Sequence, residues 1–514
     1  MASHNRQVSS ARDYHDRTAH SPRSVRTSGH SLEWNIKPLP FKIYPDLPAV
    51  RLPRDFPAAS ADTLAALSGT SPSSRPLDLE GLAALLFFTA GVTRTMKYPG
   101  GAEVHFRAAA STGALYQTEV YVVAGDVRGL PPGLYHFGPG DFTLRRLREG
   151  DFRGALALAA ADEPLALSPA ILAVSGLYWR NTWKYQARGY RHLFWDSGTL
   201  LANLLATGNA LDLKARLVTA FVDSEVNALL GLDAGKEGAL QLVPVGGSGA
   251  PAPPPPVITP LDAAIVPLSS SEVDYPLLVQ AYADSSLESE AEVIDWRERG
   301  DVGSAGSAPV TGLTPLPPPR ASAGRALGET IQRRGSTREF SGASISAEEL
   351  STALFHATRG IPMDAPSGLV DLYLAIHAVD GIDPGAYAYC PGPHALEAIR
   401  LGDVKNDAAF LCLEQPLGGL SSVTVFFLAD LARALDRLGN RGYRFANLEA
   451  GIIGGRLYLA AYALRFGATG LTFYDREVAS FFLPHASGKD AIFVTALGRS
   501  VSRAPRTRVR FGES

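Results

Sequence analysis

The sequence predicts an α+β protein made of two tandem copies of one fold, and three observations carry that expectation. The run Pro132-Gly133-x-Tyr135, Pro139-Gly140, Leu144, Gly150-Asp151 returns as Pro384-Gly385-x-Tyr387, Pro391-Gly392, Leu396, Gly402-Asp403, at an offset of 252 residues. Arg188-Gly189-Tyr190-Arg191 returns as Arg441-Gly442-Tyr443-Arg444, each time opening a long apolar segment. The chain has 514 residues, 46% of them hydrophobic, enough for two cores. Two domains of about 200 residues each are expected.

Residues 1–30 are rich in Ser, His and Arg without an apolar period and read as a flexible tail. Trp34, Phe41 and Tyr44, interleaved with Pro38, Pro40, Pro45 and Pro53, read as an extended arm packed on a folded surface. Domain 1 covers 31–248. Within it, 79–90 has helical spacing, 120–123 suits a strand, 191–211 reads as a central buried helix, and 240–245 is the closing strand. The stretch Gly246 to Pro256 suits neither helix nor central strand. It introduces a Pro-rich linker and connector over 249–323, mostly irregular, with a short helix near 275–282. Domain 2, 324–500, repeats the plan. A helix over 347–358 follows the capping box Ser346-Ala-Glu-Glu349, then come a strand at 372–376, a central helix at 444–466 and a closing strand at 492–497. Residues 501–514 form a basic tail, read as a solvated terminus rather than a binder of acidic peptide.

A formal charge of -3 gives no reason to expect a nucleic-acid partner. Cys390 and Cys412 are too few for a disulfide framework or a thiolate cluster, which points to a reducing, cytoplasmic compartment. No stretch reaches the ~20 apolar residues of a membrane span, so no membrane partner is expected. His105, His136 and His192 lack the spacing of metal ligands.

The two copies differ where chemistry would be. Domain 2 opens with Arg333-Arg334-Gly335-Ser336-Thr337-Arg338, three guanidinium groups and a hydroxyl suited to a phosphate. Leu82, Leu86 and Phe87 match Leu350, Leu354 and Phe355 at an offset of 268, and the same count back from the arginine turn reaches 65–72, with no arginine. The offset then falls to 252, so the second copy lacks 16 residues found in the first around 96–116. That region contains Ser111-Thr112-Gly113, a small-residue turn able to approach a flat ligand. Each copy thus supplies one part of a single site.

Taken together, Tyr14-His15, His20-Ser21, Leu32-x-Trp34 to Tyr44-Pro45, Ser111-x-Gly-Ala-Leu-Tyr116, Leu130-Pro-x-Gly-Leu-Tyr135 and Lys184-Tyr185 before Arg188 are specific. The chain resembles the nitroreductase-like flavoenzymes, specifically the SagB-type azoline dehydrogenases. The resemblance implies two nitroreductase-like domains paired as an intramolecular pseudodimer, with FMN at their interface. Carried over, Arg334, Ser336 and Arg338, with Arg333 adjacent, hold the phosphate. Ser111, Thr112 and Gly113 come from the other domain, Leu471 and Thr472 lie in the loop that presents a backbone amide to flavin N5, and Arg499 reaches the phosphate. Lys184 and Tyr185 match the catalytic pair, whose counterpart in the second copy is Arg437-Leu438.

The implied activity is two-electron oxidation of an azoline in a peptide or on a carrier, with oxygen reoxidising the flavin and other peptide-modifying enzymes as partners. One FMN site per chain is expected, with the reciprocal site lost. Two alternatives stand beside it: an NAD(P)H-dependent reductase of nitroaromatics, quinones or flavin, and a flavin-free interaction subunit of a peptide-modifying complex. Departures from the family pattern fall at Gly335, Ala110 and Gln117, while the second copy keeps Pro366-Ser367.

Overall fold

The computed structural model describes residues 3–69, 75–97, 103–300, 312–365 and 367–501. Both copies form an antiparallel sheet with the same strand order. In the first it runs Ala49–Arg51, Thr143–Glu149, Gly133–Gly138, Thr118–Ala124, Ala170–Leu177, Glu237–Val245. In the second it runs Leu313–Pro315, Ala395–Leu401, Gly385–Cys390, Val370–Ile376, Val423–Ala429, Asp490–Gly498, with Gly467–Gly470 at the far edge. Register repeats too: Tyr121 lies opposite His136, and Tyr373 opposite Ala388.

The central helices are Gly189–Ala210 and Arg441–Ala463, buried along nearly their whole length. They pack on each other across the pseudo-twofold axis because both carry glycine at the crossing. A Cβ on Gly198 would lie 2.7 Å from the Gly451 backbone, and one on Gly451 2.7 Å from the carbonyl oxygen of Trp195. Near the axis the rings of Tyr190 and Tyr443, equivalent residues, stack with centroids 6.3 Å apart. The expected helices form at Leu79–Ala90, capped by Asp78, and at Ala347–Ala357, capped by the reciprocal Ser346/Glu349 bonds. The extra residues of the first copy include a hairpin, Val92–Lys97 with Glu103–Arg107.

One expectation is corrected. The segment 1–30 is no flexible tail: it holds helices Ser9–Arg17 and Pro22–Thr27, and Tyr14 is buried. The connector is mostly irregular among the described residues, as expected, and its short helix forms at Pro276–Asp284; a second helix, Glu290–Gly300, was not expected, and Tyr282 and Trp296 are buried. These two segments are the same element in two copies. Thr18 bonds back to the Tyr14 carbonyl at 2.8 Å, and Ser286 to that of Tyr282 at 2.9 Å, at the offset of 268 found in the helices that follow. Hydrophobic periodicity misses the first helix because its turns are polar. Its anchorage comes from backbone carbonyls that accept arginine bonds, which no side-chain pattern reveals.

Each arm crosses to the opposite copy. Asp475, at the start of helix Asp475–Phe481, accepts from Arg188 at 3.0 Å, from Arg191, and from the His20 amide at 2.7 Å. Asp223, at the start of helix Asp223–Leu230, accepts from Arg441 at 2.6 Å, Arg444 at 2.7 Å and the Leu287 amide at 2.9 Å. The arginines come from one copy's central helix and the aspartate from the other copy. Burial opposes charge on both aspartates, yet the paired guanidinium groups prevail and hold their pKa values below the ordinary carboxylate range. The expected basic tail from 502 onward lies outside the described residues.

Candidate functional site

The site builds from the turn Ser111–Gly113, whose position is fixed from below. Asp196, buried in the first central helix, accepts from Ser111 Oγ at 2.6 Å, from the Thr112 amide at 2.9 Å, from Thr112 Oγ1 at 2.7 Å and from Gln117 at 3.2 Å. Burial pushes its pKa up to about 6, against the pull of those donors. The hydroxyls of Ser111 and Thr112, expected to face a flavin, are therefore turned to Asp196. What the turn leaves free is the backbone around Gly113, which sits at φ +64° with a would-be Cβ 2.9 Å from the Tyr185 hydroxyl. Asp196 escaped the sequence reading, although Glu449 stands at the matching place. Glu449 holds the amides of Gly368 and Leu369 at 2.5 and 2.8 Å.

Lys184 and Tyr185 end the helix Tyr178–Tyr185. The Lys184 ammonium lies 5.3 Å from the Tyr185 ring centroid. Burial, helped by Arg338, lowers the Lys184 pKa, and burial, helped by Asp196, pushes Tyr185 up to about 12. Arg338 of the second copy is thus near enough to the pair from the first to act on both through its charge. The next residue, Gln186, has φ 52° and ψ -147°, a region that glycine alone occupies freely. Its counterpart is Gly439, at φ 69° and ψ -163°. Holding glutamine there costs on the order of 1–3 kcal/mol.

Of the arginine turn, Arg338 is exposed and has no ion-pair partner among the described residues. Ser336 Oγ lies 3.2 Å from the Tyr458 hydroxyl, which also accepts the Gly470 amide at 2.6 Å. Arg334 crosses the interface to the carbonyls of Arg107 and Ala108, both at 2.9 Å, just before the Ser111 turn. Two expected phosphate ligands have other partners. Arg333 pairs with Glu329 one helical turn away at 2.5 Å, and Arg499 binds both oxygens of Glu349, at 2.8 and 2.7 Å. The proximity of acids on helices Leu327–Arg333 and Ala347–Ala357 decides this, and spacing from the arginine turn does not reveal it.

Leu471 and Thr472 lie in the loop between strand Gly467–Gly470 and helix Asp475–Phe481. The amides of Thr472 and Phe473 have no acceptor among the described residues. A ladder of rings, Tyr185 to His192 at 4.7 Å, His192 to Trp195 at 4.7 Å and Trp195 to Phe473 at 6.1 Å, joins this loop to the Lys-Tyr pair.

The reciprocal half is filled. There the amides of Thr219 and Ala220, which match Leu471 and Thr472 at the offset of 252 that pairs Asp223 with Asp475, donate to Asp364 at 2.7 and 3.1 Å, and Arg297 ties the same carboxylate down at 3.1 Å. Ala220, Val222, Leu287, Val293, Trp296, Leu438 and Phe445 form one buried cluster beside it. Leu438 stands where the first copy has Tyr185. The retained Ser367 does not reopen this half, and its neighbour Pro366 lies outside the described residues.

No helix among the described residues is long and apolar enough to cross a membrane, and no group of three or more His, Cys, Asp or Glu side chains there is placed to hold a metal. The pattern of the Nitroreductase family matches residues 73–247 and 331–498. A curated nitroreductase-family protein of Methanocaldococcus jannaschii is 33% identical over 174 residues, 34% of this chain and 82% of that protein. The crystal structure of a nitroreductase-family protein from Anabaena variabilis superposes with a TM-score of 0.76 at 28% identity, over 96% of this chain and 99% of that one. The chain belongs to the nitroreductase family, with two family domains in tandem, and is an oxidoreductase of that kind.

Proposed function

We propose that the chain is an FMN-dependent dehydrogenase that oxidises azolines in peptides or on a carrier to azoles, at one site per chain. The observation that carries the reading is the asymmetry of the two interface halves. One presents the unpartnered amides of Thr472 and Phe473, an unpaired Arg338 and the Lys184-Tyr185 pair. In the other, the Ala220 amide, which corresponds to that of Thr472, is taken by Asp364 and the space is packed with apolar side chains. These residues fit FMN: the amides suit the acceptor edge of a flavin, and Arg338 with Ser336 suits its phosphate. Arg334 spans from the arginine turn to the Ser111 turn and fixes the two parts of the site relative to each other.

Azoline oxidation removes a proton from the ring carbon beside the carbonyl and a hydride from its neighbour. FMN, when bound, supplies the two-electron acceptor. Lys184, its pKa lowered by burial and by Arg338, takes the proton at Nζ. Tyr185 keeps its own proton at neutral pH and donates a hydrogen bond to the substrate from its hydroxyl. Other peptide-modifying enzymes are the proposed partners, as suppliers of the azoline.

The test is the visible spectrum and flavin-to-protein ratio of the purified chain, then turnover of a thiazoline-bearing peptide. A ratio near one, with turnover lost in the Lys184→Ala/Tyr185→Phe variant and flavin retained, is expected. A ratio near two overturns the single site. Flavin reduction by NAD(P)H without azoline turnover favours a reductase, and failure to take up FMN favours an interaction subunit.

A further inference from the structure

The two helix–helix junctions around Lys184-Tyr185 and its counterpart differ as a set. Helices Tyr178–Tyr185 and Leu431–Leu438 are equivalent at an offset of 253, as are the central helices that follow them. At that offset Asn181 becomes Ala434, Tyr185 becomes Leu438, Gln186 becomes Gly439 and His192 becomes Phe445. In the first copy the Asn181 Oδ1 to His192 Nδ1 distance is 2.8 Å, so the imidazole donates across the junction. The Tyr185 ring rests on that imidazole, edge to face, with centroids 4.7 Å apart. In the second copy the same contact is apolar and needs no hydrogen bond.

The exchange has a physical reason. Gln186 holds the turn between the two helices in a backbone region suited to glycine, while Gly439 adopts the same conformation at little cost. Such a residue persists only where its surroundings hold it. The Asn181–His192 bond joins the helix just before the strained residue to the helix just after it. Phenylalanine fills the His192 position in the other copy, so bulk alone does not require a buried imidazole.

We propose that His192, through Asn181, is a positioning residue that holds the strained Gln186 turn and so fixes Tyr185 and Lys184 in the site. The role in turnover rests on the proposed dehydrogenase reading; the clamp itself does not.

The experiment is a double-mutant cycle on the full chain without flavin, pairing His192→Phe with Gln186→Gly, read by amide hydrogen exchange over residues 184–189. Asn181→Ala serves as a second route to the same break; both substitutions install what the other copy already accommodates. His192→Phe is expected to lower protection there about tenfold in the wild-type background and by less than about twofold alongside Gln186→Gly. Equal losses in the two backgrounds, or no loss from either His192→Phe or Asn181→Ala, overturn the proposal. With FMN and a thiazoline peptide, His192→Phe is expected to lower kcat while leaving KM and the flavin ratio unchanged. Absence of turnover in the wild-type chain sinks the dehydrogenase reading and leaves the exchange cycle decisive for the clamp.

Discussion

Replacing Asp475 by Asn and, separately, Asp223 by Asn tests both the fold and the asymmetry of the site. Each carboxylate is 3% exposed or less and lies between two buried arginines from the other copy. Removing one partner of a buried ion pair leaves guanidinium charge uncompensated, at about 3–5 kcal/mol. For domains of this size each kcal/mol moves Tm by about 2–4 °C, so each variant is expected to melt about 6–20 °C lower. The functional outcome differs between them. Asp475 is two residues from Phe473, so its loss loosens the loop whose amides are free, and FMN affinity is expected to fall at least tenfold. Asp223 follows the loop that Asp364 already binds, so its loss leaves FMN affinity within about threefold. Calorimetry and FMN titration by fluorescence quenching measure the two effects. A Tm change under 2 °C in either variant, or equal losses of FMN affinity, refutes the reasoning.

Gly113→Ala places a methyl group 2.9 Å from the Tyr185 hydroxyl at a φ of +64°, so kcat is expected to fall at least tenfold in steady-state assays while Tm falls only by about 2–8 °C. Burial lifts Asp196 above its unfolded value, so its contribution to stability is fully present below about pH 4 and is lost as pH rises through about 6. Since the ionised carboxylate is what accepts the Ser111 and Thr112 donors, FMN affinity should decline as pH falls below 6, seen by titration from pH 5 to 8. Arg338→Ala should release flavin without changing the Tm of the flavin-free chain, because the side chain is exposed and has no ion-pair partner among the described residues. Arg334→Ala should lower Tm as well, because its guanidinium spans to two carbonyls of the other copy.

The repeat, the central helices and the paired closing strands were legible because they rest on turn residues and apolar periodicity that the two copies preserve. The long helices begin at Gly189 and Arg441, two or three residues before the apolar reading placed them, since their first turns are occupied by the arginines of the buried ion pairs. The first arm was missed for a similar reason, since its helix is polar and its carbonyls meet buried arginines; the second arm's short helix was expected, and only its crossing to the other copy was not. Within the site, Lys184, Tyr185, Arg338 and the Ser111 turn do converge. Arg333 and Arg499 pair with Glu329 and Glu349, and that competition is set by the fold. Asp196 was detectable in principle, as an acid repeated at Glu449 inside two otherwise apolar segments.

The exchanged arms bear on what the stretch between the copies does. Arm 9–20 closes over Asp475 and arm 276–287 over Asp223, so each copy is completed by a piece of the other. Neither half is therefore expected to fold fully alone, and the interface rather than the peptide between them is expected to keep them together. A single protease cut near Val257, which is 86% exposed, should yield two fragments that still migrate as one particle and retain the site. The covalent bond matters earlier, during folding, when it sets which arm meets which copy and makes a mixed assembly from two chains the slower outcome.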